Sequence, residues 1–154
     1  MANNDILRTI RESLNLDDET TVQIFKAAGL EMGQSTIDAF SKTAEEDDYI
    51  PCSNPIMGFF LEGLIIHNRG QEEGKPLPTA NPVQELTNND ILKKLRIALD
   101  LKEDDLAETL KLADIVISKQ EISALFRKQG NKHYRECNDQ LLGGFIKGLG
   151  LRGK

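Results

Sequence analysis

The sequence has no tryptophan, two tyrosines and six phenylalanines among its 154 residues. Its core must therefore be built mainly from aliphatic side chains. Only two cysteines occur, Cys52 and Cys137, too few for a scaffold held by disulfides. The longest apolar run, 56–66, is broken by Gly58, Glu62 and Gly63 and is too short to span a bilayer. The start, MANNDILRTI, has neither the basic residues nor the apolar stretch of a signal peptide. These absences predict a soluble protein of the cytoplasm, with no membrane partner. The net charge of −6 argues against nucleic acid as a general partner.

Catalytic signatures are missing as well. The chain contains no nucleophile elbow, Walker loop or dinucleotide fingerprint. The only histidines, His67 and His133, stand at unrelated places with no cysteine or carboxylate at ligand spacing. Paired acids such as Asp17-Asp18 and Asp104-Asp105 suit the positive end of a helix better than a catalytic dyad. No cofactor or metal is expected, and the reading favours a protein that is not an enzyme.

What is present is a duplication. NNDIL occurs at Asn3–Leu7 and again at Asn88–Leu92. A shift of 85 residues aligns 3–69 with 88–154 without a gap, and 18 of 67 positions are identical. Unrelated segments of ordinary composition match at roughly 6% of positions. Apolar positions correspond too, as in Ile10 with Leu95, Phe25 with Leu110 and Phe40 with Leu125. Between the copies, the stretch 70–87 contains Pro76, Pro78 and Pro82 and reads as an extended linker. The expected organisation is a helical repeat at 1–69, the linker, and a second repeat at 88–154.

Each copy reads as about four helices, giving an all-α fold of two tandem repeats. The first helix starts at the Asn-Asn-Asp cluster, whose side chains suit a cap. It carries the stripe Ile6, Leu7, Ile10, Leu14, repeated as Ile91, Leu92, Leu95, Leu99. The second helix follows the acids Asp17–Glu19 or Glu103–Asp105 and turns at Gly29 or Asp114. A short third helix holds Ile37 and Phe40, or Ile122, Leu125 and Phe126. The fourth starts with Asn54 or Asp139 as cap and carries Met57, Phe60 and Leu64, or Leu142, Phe145 and Leu149. Glycines inside it, Gly58, Gly63, Gly143, Gly144 and Gly148, each cost about 1 kcal/mol relative to alanine, so a close helix–helix approach is one expected compensation and a bent or frayed helix the other. A copy of this length is marginal alone, which predicts that the two pack on each other.

The segments NNDILRTIR and NNDILKKLRIALDLKEDD at the first-helix starts, with IPCSNPIMGFFLEGLI and YRECNDQLLGGFIKGL at the ends, carry a family resemblance. Nearly the whole chain, including its two-copy layout, resembles the YehS-like family of uncharacterised bacterial proteins. The resemblance implies the duplicated architecture. It brings no catalytic or binding residue.

Candidate sites come from the residues themselves. Cys52 and Cys137 occupy one repeat position, just before helix four. A helix N-terminus there favours an activated thiol; a small buried apolar residue is the alternative, and the lack of a neighbouring histidine or CxxC favours it. Charge separates the copies more sharply. Residues 1–70 hold 5 basic and 12 acidic side chains, net −7, whereas 88–154 hold 13 and 10, net +3. One loop concentrates the contrast: Glu45, Glu46, Asp47 and Asp48 in the first copy stand against Arg127, Lys128, Lys132 and Arg135 in the second. These loops either meet across a domain or dimer interface, or contact an outside partner, or are independently solvated.

The expected function is a non-catalytic interaction or regulatory module with a protein partner, self-association remaining open. The alternative is nucleic-acid binding. TVQIFKAAGLEMGQSTIDAFSK and AETLKLADIVISKQEISALFRK both read helix, turn, helix, and the second ends in a basic cluster. Against it stand a long turn and an acidic first copy.

Overall fold

The computed structural model describes residues 2–69 and 86–152. Most of the expected linker, 70–85, lies outside the described residues. Eight helices follow: α1 (Asn3–Leu14), α2 (Asp18–Ala27), α3 (Gln34–Phe40), α4 (Asn54–Arg69), α5 (Asn88–Leu99), α6 (Glu103–Leu112), α7 (Lys119–Leu125) and α8 (Asp139–Arg152). No strand occurs among the described residues. The fold is all-α, with four helices per repeat.

The repeat persists in the details that end each helix. Asn15 and Asp100 adopt left-handed backbone (φ 55° and 52°) after α1 and α5. The next N–H, of Leu16 or Leu101, then donates to the carbonyl of Arg11 or Arg96. This closes a Schellman motif and satisfies carbonyls the helix leaves open. Gly29 and Asp114 (φ 89° and 62°) do the same after α2 and α6. Arg11 and Arg96 also send Nε to the carbonyls of Leu16 and Leu101, at 3.2 and 3.0 Å. Beyond that point they diverge: Arg11 bonds Ser41 and Asp18, while Arg96 lies over the Phe126 ring at 4.6 Å, a cation–π contact. Ser41 and Phe126 are equivalent repeat positions, so one arginine serves both by different chemistry.

Three expected caps are corrected. The Asn-Asn-Asp cluster does not supply the cap residue: in α1 that position is Ala2 with no side-chain bond, and in the second copy Asp90 alone of the cluster takes part, accepting the Thr87 N–H at 3.0 Å. In the second copy the cap is Thr87, whose hydroxyl accepts the Asp90 N–H. Asn54 and Asp139 likewise yield to the residues before them: Ser53 Oγ accepts from Ile56 N, and Asn138 Oδ1 from Leu141 N at 2.8 Å. The reason is competition, since Asn3, Asn54, Asn88 and Asp139 are drawn into other hydrogen bonds described below.

The core is one cluster fed by both copies, including Ile6, Phe25, Phe40 and Phe60 from the first and Leu95, Leu125, Leu142 and Phe145 from the second. Where the first copy has Phe25 and Phe40, the second has Leu110 and Leu125, and a void of about 10 Å³ is lined by both leucines. Within a repeat, helix four lies on helix two, α4 on α2 and α8 on α6. The expected close approach is real at Gly63 and Gly148. A Cβ at Gly63 would fall 1.9 Å from the carbonyl oxygen of Ile24, and one at Gly148 would fall 2.1 Å from that of Thr109.

The copies do pack on each other, and they do so crosswise. α1 lies mainly along α8, and α4, besides resting on α2, lies equally along α5, whereas α1 barely touches α4. Glu62 pairs with Lys94, and further along Asn68 and Arg69 donate to the carbonyls of Ala98 and Ile97. These contacts advance in the same direction on both helices, so α4 and α5 run parallel.

Candidate functional site

Loops 41–53 and 126–138, which follow α3 and α7, are held by one device. Asn4 donates from Nδ2 to the carbonyls of Phe40 and Ile50 (3.1 and 2.8 Å) and accepts the Cys52 N–H at 2.8 Å. Asn89 bonds Leu125, Arg135 and Cys137 in the same way, at 2.9, 2.8 and 2.8 Å. The neighbouring Asn3 reaches the Cys52 carbonyl and Asn54, and Asn88 reaches the Cys137 carbonyl and Asp139. The first two letters of NNDIL thus clamp the loop to the start of helix one. Asn4 and Asn89 are buried, where an unpaired backbone group would be costly, and the clamp leaves none of these three unpaired.

The clamp also fixes the cysteines. Cys52 and Cys137 are free and buried. Burial pushes the Cys52 thiol up to about 12 and that of Cys137 up to about 11. Activation by the following helix is overridden by desolvation. The reading as a small core residue therefore holds. At pH 8 the thiolate fraction of Cys52 is ~10⁻⁴ for a pKa of about 12, against roughly a quarter for an ordinary thiol. Neither thiol is expected to react with a disulfide reagent in the native protein, and both should react in denaturant; prompt native labelling would contradict this.

The opposite-charge loops occupy equivalent places but are wired differently. In the acidic loop Lys42 pairs with Asp48 at 3.0 Å, and Glu46 accepts from Thr43. Glu45 and Asp47 are exposed. In the basic loop Arg135 is half-buried and pairs with Glu121. The Ser118 hydroxyl and N–H, then Arg135, hold the Glu121 carboxyl below its usual range. Arg127, Lys128 and Lys132 are exposed and make no ion pair among the described residues. No hydrogen bond or ion pair among the described residues joins the two loops, so they do not meet electrostatically within one chain.

The basic loop borders two concavities. A groove of about 650 Å³ is lined by Lys119, Glu121, Arg127, His133 and Arg135 among others. On the far side of Arg127, a recess of about 320 Å³ has Lys93, Lys128 and Tyr134 in its wall. Arg127 stands in both walls. Sequence reasoning missed Lys119, His133 and Lys93. Lys119 opens the helix that leads into Arg127, a legible signal, but Lys93 reaches the site only because Asn89 pins the loop against α5. The histidines are both exposed. Among the described residues no group of three or more His, Cys, Asp or Glu is placed to hold a metal ion, and no helix is long and apolar enough to cross a membrane.

A family described as a protein of unknown function, DUF1456, matches this chain twice, at residues 3–70 and 88–153. The chain belongs to this family. The two matched segments are the two copies of the duplication. The chain is also similar to the uncharacterized protein YehS of Escherichia coli (strain K12), with 36% identity over 152 residues, covering 99% of this chain and 96% of that protein. No solved structure matches. Family membership supplies the duplicated architecture and leaves the chemistry of the basic loop to be argued from its residues.

Proposed function

We propose that this protein is a non-catalytic interaction module of the cytoplasm, whose basic loop and adjoining groove bind an acidic segment of a protein partner. The supporting observation is the charge reversal at one fold position: in the basic copy Arg127, Lys128 and Lys132 make no ion pair among the described residues, with Arg127 in the wall of the groove and Lys128 in that of the adjoining recess, while the equivalent loop in the other copy is acidic. Glu121, itself anionic, offsets Arg135, so the attractive face is the Arg127 side of the groove. Exposed charges of this kind set specificity and encounter rate more than raw affinity.

A fluorescein-labelled deca-glutamate titrated with the protein tests this. Binding is expected at about 50 mM salt and should weaken as added salt shortens the Debye length. R127E/K128E/K132E should weaken it at least ~10-fold, which corresponds to about 1.4 kcal/mol. No binding at low salt, or binding indifferent to the triple variant, overturns the proposal.

Nucleic acid is the second reading, supported by the α6–turn–α7 arrangement that ends in the basic loop. α7 has only seven residues and its exposed first turn carries Glu121, a poor surface for a major groove lined by phosphates. Tight, salt-sensitive binding of a DNA duplex, with deca-glutamate ignored, would favour this reading instead.

A further inference from the structure

We infer that the acidic segment recognised by the basic groove is present on the same protein: the loop Glu45–Asp48 of a second copy of this chain. The inference rests on the groove reading above and adds the occupant. Three observations support it. First, within one molecule the loops are not joined, while Glu45 and Asp47 on one side and Arg127, Lys128 and Lys132 on the other are exposed and carry no ion pair among the described residues. Outside these loops Arg8, Arg11, Lys94, Lys119 and Arg152 each hold an ion pair, but nowhere else among the described residues do three unpaired cations fall within six residues of one loop.

Second, both loops are presented rigidly. Each is fastened at both ends by a buried asparagine, Asn4 or Asn89, bonded to three backbone groups. Docking two such loops loses little further conformational freedom. Third, the acidic loop has the contrary sign and the same chain path as the basic one, so both project from corresponding places on the repeats. A contact of one copy's loop with another copy's groove leaves each molecule with one loop still unused. It therefore either closes as a pair, each chain giving and receiving, or continues head to tail.

The contact is small and polar, and each chain carries net −6, so the association is weak. Its dissociation constant is expected in the range of roughly 10 μM to 1 mM.

Sedimentation velocity of the full chain over that concentration range, at about 50 and about 500 mM salt, reads it. Rising sedimentation coefficient with concentration is expected at low salt only. E45K/D47K and R127E/K128E/K132E should each sediment as monomer throughout. Their equimolar mixture should associate again, because the intact basic loop of one variant then faces two acidic loops on the other. All five substituted positions are exposed, and unchanged circular dichroism melts confirm folding. A chain that stays monomeric at 1 mM yet binds deca-glutamate overturns this inference and leaves the groove reading standing. A chain that does neither overturns both. Association that survives either single variant, or no recovery on mixing, also overturns it.

Discussion

Gly148→Ala and Gly63→Ala will each destabilise the protein by about 3 kcal/mol, at the upper end of overpacking penalties. An added Cβ would lie 2.1 Å from the Thr109 oxygen or 1.9 Å from the Ile24 oxygen. Both obstacles are backbone atoms of α6 and α2, so no rotamer change relieves the clash. α8 or α4 must back away from its partner, and the surrounding core loosens with it. For a chain of this size the melting temperature should fall by roughly 6–12 °C, at about 2–4 °C per kcal/mol. Gly33→Ala is the control. Its φ is −77°, the nearest atom to a Cβ is Ser35 Oγ at 3.9 Å, and it should melt within a degree or two of the parent. Variants at 63 or 148 that melt alongside that control would mean the helices do not approach as described.

Asn4→Ala and Asn89→Ala will be destabilising on a similar scale for a different reason. Each removes one side chain and strands two carbonyls and one N–H. Leaving a buried group unpaired costs about 1–3 kcal/mol, and partial hydration of the loop brings the total to roughly 3–5 kcal/mol. Urea unfolding should show the loss. The isosteric Asn4→Asp refines the test. It keeps the acceptor for Cys52 N–H and loses the donor to Phe40 and Ile50. An ionised carboxylate would face two carbonyls in a buried site, so its folded pKa is raised above the unfolded value. A raised acid favours folding only while protonated. The deficit of Asn4→Asp relative to parent is therefore smallest at acid pH and grows as pH rises through the raised folded value. A deficit that shrinks with rising pH would contradict the clamp.

Periodic features were the legible ones. The stripes Ile6, Leu7, Ile10 and Ile91, Leu92, Leu95 are buried as their spacing predicts, and the turns at Gly29 and Asp114 are where the left-handed residues fall. The cysteines also read correctly, because an apolar setting with no histidine nearby leaves a thiol unactivated. NNDIL misled at one point. A pair of asparagines before an apolar stripe matches a cap signature, yet Asn4 bonds groups 36–48 residues away. Local chemistry cannot distinguish a side chain that folds back on its own helix from one that reaches a distant loop. The crosswise packing was equally hidden, since α1 offers the same apolar stripe whichever copy of helix four covers it. At the candidate site, the charge reversal was visible in the letters. The groove was not, since His133, Arg135 and Lys119 are brought together by the clamp.

That crosswise packing has a consequence for how the loops came to differ. Were each repeat a separate chain, α1 would find its cover only on a second molecule, and the assembly would be an obligate homodimer whose stability depends on concentration. In such a dimer both loops would be encoded once. A change to acid at one would appear at the other, and the assembly would stay symmetric. Joining the copies in one chain makes the pairing intramolecular and gives each loop its own codons. One loop can then be acidic and the other basic while the clamps at Asn4 and Asn89 and the close approaches at Gly63 and Gly148 are common to both repeats. A single chain can be polar where a symmetric dimer cannot.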